Sequence, residues 1–402
     1  MTTAQLGEIA SIVRGIAFPK EDKRAEPLPG HVACLRTTNV QRTVEWEDLW
    51  FVPEKHVKRD EQLVRSGDIL ISTANSYELV GKVAPVVGIP HKATLGAFIS
   101  LIRPNERVEP KFLYYQLAWG KTQSRIRETA STTTNISNVS TKKLLTLEMF
   151  TPPLEAQREI VSELEKQFSR LDEAVANLQR VKANLKRYKA SVLSEFFDSK
   201  VSGWRKCQLK TVCQVISGFA FKSTDFSRDG VPVVKIANIG YGEFHWKDQE
   251  YLPSSFLESQ RAFAIQPCDL LMALTRPITN GTLKVCLYPH DAPVALLNQR
   301  VAVLRVGVDL GREFLLLMMQ SAAFKNQLQN ALSETLQPNL SPVDLKNFEI
   351  SIPSGPEQAR IVAEVDRHLS IIREVEAEVD ANLQRAQALR QSTLSSAFSP
   401  KP

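Results

Sequence analysis

LGEIASIVRGIAFPKED, residues 6–22, is written again as LKTVCQVISGFAFKSTD at residues 209–225. Leu6, Gly15, Ala17, Phe18 and Asp22 meet identical residues at an offset of 203. Farther along, Arg36-x-x-Asn39-Val40 answers Lys235-x-x-Asn238-Ile239, and Ser66-Gly67-Asp68-Ile69-Leu70 answers Pro267-Cys268-Asp269-Leu270-Leu271. Asn135-Ile136-Ser137 answers Asn339-Leu340-Ser341. From 152–200 against 353–401 the copies align without a gap, with 13 identities in 49 positions. Ala-Asn-Leu-Gln-Arg also occurs at 176–180 and 381–385, a slip of about one helical turn that leaves the face unchanged. The chain is one unit written twice.

Each copy has two parts. The first is β-rich, with short apolar runs at 32–35, 69–71, 97–102 and 301–304 bounded by Gly, Pro and Asn. A short helix is expected at 110–119 and again at 311–320. The second part is a long helix. Apolar residues recur in steps of three and four from Ile160 to Phe196, and again from Ile361 to Leu389. A helix over 160–196 would be about 55 Å long, too long for a head whose radius of gyration is about 15 Å. So narrow a stripe suits packing on a partner helix. Helix one leads out of the first head and helix two returns, which predicts antiparallel packing and a pseudo-two-fold internal repeat. The fold class is α+β: two β-rich domains, 1–152 and 200–353, joined by two long antiparallel coiled-coil helices, 153–199 and 354–398.

Composition narrows the functional classes. The chain carries 50 basic and 44 acidic residues in 402, a net charge of +6, compatible with nucleic acid but not proof of it. Five scattered cysteines form no Cys-x-x-Cys pair, which points to free thiols in a reducing cytoplasm and away from zinc. The longest apolar run, 314–319, is far below the length that spans a bilayer, so no membrane partner is expected.

Catalytic motifs do not survive inspection. Gly120-Lys121-Thr122 resembles the end of a phosphate-binding loop, but Tyr115 stands where the loop needs glycine. Thr151-Pro152-Pro153-Leu154 lacks the polar acceptor and the aromatic of an amino-methyltransferase tetrad. No metal-ligand spacing is present, and no catalytic or metal residue is assigned.

Polar clusters at strand ends remain. The first copy offers Arg36, Thr38, Asn39, Ser72, Asn75, Tyr77, Thr133 and Asn135. The second offers Lys235, Asn238, Thr275, Arg276, Asn298, Gln299, Arg300, Gln337 and Asn339. Arg, Asn and Gln can form paired hydrogen bonds to purine edges, whereas Ser and Thr suit phosphates or either base. The same residue types also serve loops and caps. Arg36, Asn75, Arg276 and Gln299 lead the base-reading candidates. The helices repeat better than these loops, as expected of one scaffold reading two different half-sites.

With those residues in view, the chain resembles the HsdS family of type I restriction-modification specificity subunits. The resemblance rests on two phrases, each followed by the long helix. One is Ser131-Thr132-Thr133-Thr134-Asn135-Ile136-Ser137 with Pro152-Pro153-Leu154-Glu155-Ala156-Gln157-Arg158-Glu159-Ile160-Val161. The other is Gln337-Pro338-Asn339-Leu340-Ser341 with Gln358-Ala359-Arg360-Ile361-Val362. Trp204 stands where the family tends to put a Trp ahead of the first strand, and the first copy has no counterpart.

The resemblance implies a non-catalytic subunit that reads double-stranded DNA, one head to each half of a bipartite site. It implies two modification (methyltransferase) subunits that methylate adenine N6, and restriction subunits that translocate and cut. S-adenosylmethionine, ATP and Mg are expected on those partners and no cofactor in this chain. A coiled-coil adaptor with two protein-binding heads, or the equivalent subunit of a related phage-defence system, is the alternative.

The helices should then act as a ruler. Four residues inserted after Arg180 add about 6 Å at ~1.5 Å per residue while nearly preserving the apolar face. At ~3.4 Å per base pair the unread gap should lengthen by about one or two base pairs, with both half-sites unchanged. Mapping the methylated motif checks this; an active variant with an unchanged gap would assign the spacing to the partner subunits.

Overall fold

The computed structural model describes residues 2–133, 136–199, 202–279, 281–333 and 337–399. The chain divides into two compact units, residues 1–178 with 381–402, and residues 179–380. Each unit thus holds one head and parts of both long helices.

Head one is built on the antiparallel strands Ala10–Arg14, Ile99–Pro104, Ile69–Ser72 and Val83–Pro85, with Ile12 opposite Ile102 and Ile69 opposite Ile102 on the other side. A second sheet joins Trp50–Pro53, His31–Leu35 and Ala93–Leu95. Head two repeats this plan. Cys213–Ser217, Val301–Val306, Leu270–Ala273 and Val285–Leu287 form the first sheet, extended by Tyr241–Gly242. Glu250–Leu252, Val231–Val234, Ala295–Leu297 and Ala264–Ile265 form the second. Strands such as Ile69–Ser72 and Leu270–Ala273 are buried along their whole length, which is why they read as apolar runs without alternation.

The identical glycines of the repeat mark a close crossing. A Cβ on Gly15 would lie 2.1 Å from the Gly96 carbonyl oxygen, and one on Gly218 would lie 2.1 Å from that of Asn298. Only glycine lets the first strand pass there.

The Asp shared by the phrases at 66–70 and 267–271 also has a physical reason. Buried Asp68 accepts from Arg103 Nε at 2.7 Å and Nη2 at 2.8 Å, and from the Arg65 amide at 2.7 Å. Asp269 holds Arg305 and the Gln266 amide in the same way, at 2.9 and 2.8 Å. The hydrogen bond that each arginine donates to its carboxylate holds it firmly in the charged form.

Where a single short helix was expected in each head, two follow in succession: Pro110–Ala118 and Gly120–Glu128 in one, Arg312–Met318 and Ala322–Ala331 in the other. The second helix of head one escaped notice because GKTQSRIRE has almost no apolar face, burying only Thr122 and Ile126. The run at 97–102 is likewise shorter as a strand than expected, since it begins at Ile99 and its first residues form a turn.

The long helices span Leu154–Ser194 and Gly355–Phe398. In unit 1 Arg390 bonds Asp172 at 3.0 Å and stacks on Phe168. In unit 2 Lys182 bonds Asp380 at 2.6 Å and the Tyr188 hydroxyl meets His368 Nδ1 at 2.8 Å. Within unit 2, rising numbers on one helix meet falling numbers on the other, so the pair is antiparallel. The helix ends enter the heads: Phe398 packs on Phe112 at 5.4 Å between ring centroids, and Phe197 packs on Phe314 at 5.3 Å. The equivalent roles of Phe197 and Phe398 resolve the register of the repeat at an offset of 201.

A buried glutamine fastens each helix start to its head. Gln157 Oε1 accepts from the Glu109 amide at 2.8 Å, while its Nε2 donates to the carbonyls of Pro152 at 2.7 Å and Arg107 at 3.1 Å. Gln358 accepts from the Gly311 amide at 2.7 Å and donates to Asp309 at 2.9 Å and Pro353 at 3.0 Å. Gln358→Ala would leave these three backbone groups without their partner. The expected loss is about 2–4 kcal/mol in urea unfolding, against under about 0.5 kcal/mol for the exposed Gln384→Ala. Equal effects of the two substitutions would remove the fastening role.

Candidate nucleic-acid interface

Four segments of each head are drawn to one edge by matching backbone hydrogen bonds. In head one the Gly96 amide donates to Leu35, the Thr73 and Ala74 amides donate to Phe98, and Val139 donates to Thr73, at 2.9 to 3.1 Å. In head two Asn298 donates to Val234, Leu274 to Arg300, Leu340 to Leu274 and Arg276 to Pro338, at 2.8 to 3.0 Å. The turns at 36–39 and 235–238, the strand ends at 72–77 and 274–276, the turns at 96–99 and 298–301, and the segments 136–139 and 337–340 thereby converge. Every described candidate from the sequence lies in or beside these segments; Asn135 lies outside the described residues.

Several candidates prove to hold the edge rather than line it. Asn39 and Asn238 are each 2% exposed. Asn39 Oδ1 accepts from the Arg36 amide at 2.8 Å and its Nδ2 donates to Glu47 O at 2.9 Å. Asn238 accepts from the Lys235 amide at 2.8 Å and donates to the carbonyls of His245 and Lys247 at 3.0 and 2.8 Å. Both side chains close their own loops. Ser72, 1% exposed, accepts from Asn75 Nδ2 at 3.2 Å. Asn75 Oδ1 also accepts from the Ser76 amide at 2.9 Å, so this amide is engaged within its loop. Buried Thr275 donates to Asn339 Oδ1 at 2.6 Å, and Asn339 Nδ2 donates to Gln337 O at 3.0 Å. That pair joins two segments.

The two cations opposite each other in the repeat are engaged as well. Arg36 pairs with Asp48 at 2.5 Å and lies 4.3 Å over the Trp50 ring, which Lys23 also approaches to 3.5 Å. Lys235 pairs with Glu250 and lies 4.7 Å from the Phe226 ring centre.

What remains outward differs between the heads. Head one presents exposed Thr38 and Thr133, with Tyr77 at 53% and Phe98 at 61% exposure. Head two presents Arg276, Gln299 and Arg300 exposed and Asn298 half-buried, with no protein partner to those four side chains among the described residues. Arg276 also has φ +46°, a left-handed conformation that costs a non-glycine residue energy and is held by the bond to Pro338.

Phe98 was missed in the sequence because it fell inside an apparent apolar strand. Its carbonyl takes the place of that of Arg300 in the matching bonds, so Asn298-Gln299-Arg300 in the second copy was the signal. Beside it Phe18, Trp50 and Phe98 line a hollow of about 500 Å³ rimmed by Lys23 and Arg36. In head two Phe219, in the position of Ile16, packs on Phe221 and Phe263 at 5.2 and 5.3 Å.

The remaining chemistry is structural. Burial pushes the thiols of Cys34, Cys213 and Cys286 up to about 12, keeping them protonated at neutral pH. A hydrogen bond with His56 holds Asp22 below its ordinary value. Among the described residues no three His, Cys, Asp or Glu side chains gather as a metal site, and no helix is long and apolar enough to cross a membrane.

The sequence model of the type I restriction modification DNA specificity domain matches the chain twice, over residues 1–186 and 201–384. The type I restriction enzyme MjaVIII specificity subunit of Methanocaldococcus jannaschii is 25% identical over 351 residues, 82% of this chain and 80% of its own. The EcoKI specificity subunit of Escherichia coli K12 is 24% identical over 413 residues, 98% of this chain and 88% of its own. A chain solved for the complex assembly and conformational transition of the type I R-M system shares the fold at a TM-score of 0.75 and 20% identity, covering 99% of this chain and 97% of its own. The HsdS subunit of Thermoanaerobacter tengcongensis matches at a TM-score of 0.50 and 20% identity, covering 99% and 96%. With both copies of the repeat matched, this chain belongs to the family of type I restriction-modification specificity subunits.

Proposed function

We propose that the chain reads a bipartite, asymmetric DNA site, one head to each half-site, and performs no catalysis itself. Its role is to direct adenine-N6 methylation and restriction by partner subunits, two carrying methyltransferase chemistry with S-adenosylmethionine and others translocating and cutting with ATP and Mg. The antiparallel helices set the gap between half-sites.

One observation carries this reading. The same four-segment edge is built twice on a repeated scaffold, yet the side chains it presents differ. Free Arg and Gln at the edge of head two have the donor geometry that selects guanine and adenine, whereas the hydroxyls and rings of head one suit phosphates and thymine methyl groups. Buried residues of the edge, Asn39, Asn238 and Ser72, supply rigidity and are not proposed to touch bases. Thr38, Asn75, Tyr77, Thr133 and Asn135 in head one, with Lys235, Thr275, Asn298, Gln337 and Asn339 in head two, stay as neighbours of the contact surface.

Exchanging residues 1–152 for the corresponding segment of a relative should change one half of the methylated motif and leave the other intact. A change in both halves would overturn the assignment of one head to one half-site.

Within head two, Arg276→Ala should relax discrimination at a single base pair by ~1–3 kcal/mol without lowering thermal stability. Arg276→Lys should keep the charge without restoring the discrimination, because a lysine lacks the planar paired donors. Competition binding with single-base variants of the site reads both effects, and uniform weakening on every sequence would make Arg276 a phosphate contact instead.

A further inference from the structure

The stretch Arg180 to Lys189 holds five cations and no acid. Lys182, Lys186 and Lys189, spaced by four and three, share one face of the first long helix. In unit 2 this face borders a hollow of about 610 Å³, whose far side includes Gly281 and Lys325. Among the described residues Glu376 is the only acid on its wall, and Lys182 is taken up by Asp380 at 2.6 Å. Among the described residues no carboxylate pairs with Lys186, Lys189 or Lys325. Several ammonium groups around one hollow repel one another, and an anion entering it would relieve that repulsion.

In unit 1 the equivalent junction is bridged by side-chain hydrogen bonds. There Gln391 Oε1 accepts from the Gly120 amide at 2.9 Å, and Trp119 Nε1 donates to Ser395 Oγ at 3.0 Å. Unit 2 has Ala190, Ala322 and Ser321 at those positions, side chains too short to fill the space.

The hollow also lies close along the chain to the candidate DNA edge. The hairpin of Ile278–Thr279 and Thr282–Leu283 begins directly after Arg276 and Pro277, and its Gly281 lines the hollow. Five residues of chain reach at most about 18 Å, so the hollow lies within a few phosphate steps of Arg276. Lysines, as flexible point charges, suit phosphates contacted without regard to sequence.

We propose that this lysine-lined hollow binds the phosphate backbone of duplex DNA flanking the half-site of head two. The proposal rests on the DNA-reading function above and adds to it a contact that contributes affinity but no sequence information.

The test is the full-length chain carrying Lys186→Gln, Lys189→Gln and Lys325→Gln, titrated against a labelled duplex of arbitrary sequence by fluorescence anisotropy across a salt series. Lys182 is left in place so that Asp380 keeps its partner. Each lost phosphate contact should flatten the slope of log affinity against log salt by ~0.9, so the triple variant should be shallower by about 2–3 than the wild type. Its thermal unfolding should match the wild type, and the methylated motif in cells should be unchanged.

An unchanged slope overturns the proposal while leaving the recognition function intact. If the slope is unchanged and the variant instead loses co-purification with its methyltransferase partners, the hollow docks an acidic protein segment and not DNA. Absence of salt-dependent binding by the wild type would fell the DNA-reading function and this proposal together.

Discussion

The side-chain amide of a buried glutamine at the start of each long helix is the contact through which helix and head become one body. Gln157 and Gln358 each satisfy three backbone groups from two loops that would otherwise be buried without partners. An amide is the side chain that can do this, because it accepts on one side and donates twice on the other. A carboxylate would lack the donors and a lysine the acceptor. At the opposite end of each helix an aromatic ring, Phe197 or Phe398, enters the core of a head. Each long helix is thus fixed at its start by hydrogen bonds and at its end by ring packing.

The heads use the same economy of parts. Strands buried on both faces, the Asp68–Arg103 and Asp269–Arg305 pairs, and the crossings at Gly15 and Gly218 recur in both heads. They hold backbone positions at the edge, so side chains there are free to differ without loss of fold. Arg300 and Phe98 occupy corresponding turns and present a cation in one head and a ring in the other. Divergence is tolerated where the backbone, and not the side chain, makes the connecting bonds.

Unequal charge follows the same logic. Unit 1 packs its helix-to-head junction with Trp119 and Gln391, whereas unit 2 leaves the corresponding place to alanines and lysines. Arg42, just beyond the 36–39 turn, bonds Asp172 of the first helix, which also receives Arg390. Position 373, the counterpart of Asp172 in the second copy, is an arginine. A duplicated frame has therefore acquired different electrostatics in its two halves.

The sequence by itself determined the duplication, the α+β class, the antiparallel direction of the helices and the segments that form the edge. Those properties are periodic or repeated, and period and repetition survive in one dimension: the three-and-four spacing from Ile160 to Phe196, and the paired phrases at 66–70 and 267–271. It could not separate Asn39, Asn238 and Ser72, which fold inward to bond their own loops, from Arg276, Gln299 and Arg300, which face outward. The same residue types serve both purposes, and burial depends on partners distant in the chain. Nor could it detect that Phe98 heads a turn, or that Gln157 and Gln358 carry more of the architecture than the prolines beside them. Those outcomes were decided by tertiary structure, because a polar side chain acquires its role from the backbone groups that folding brings within hydrogen-bond reach.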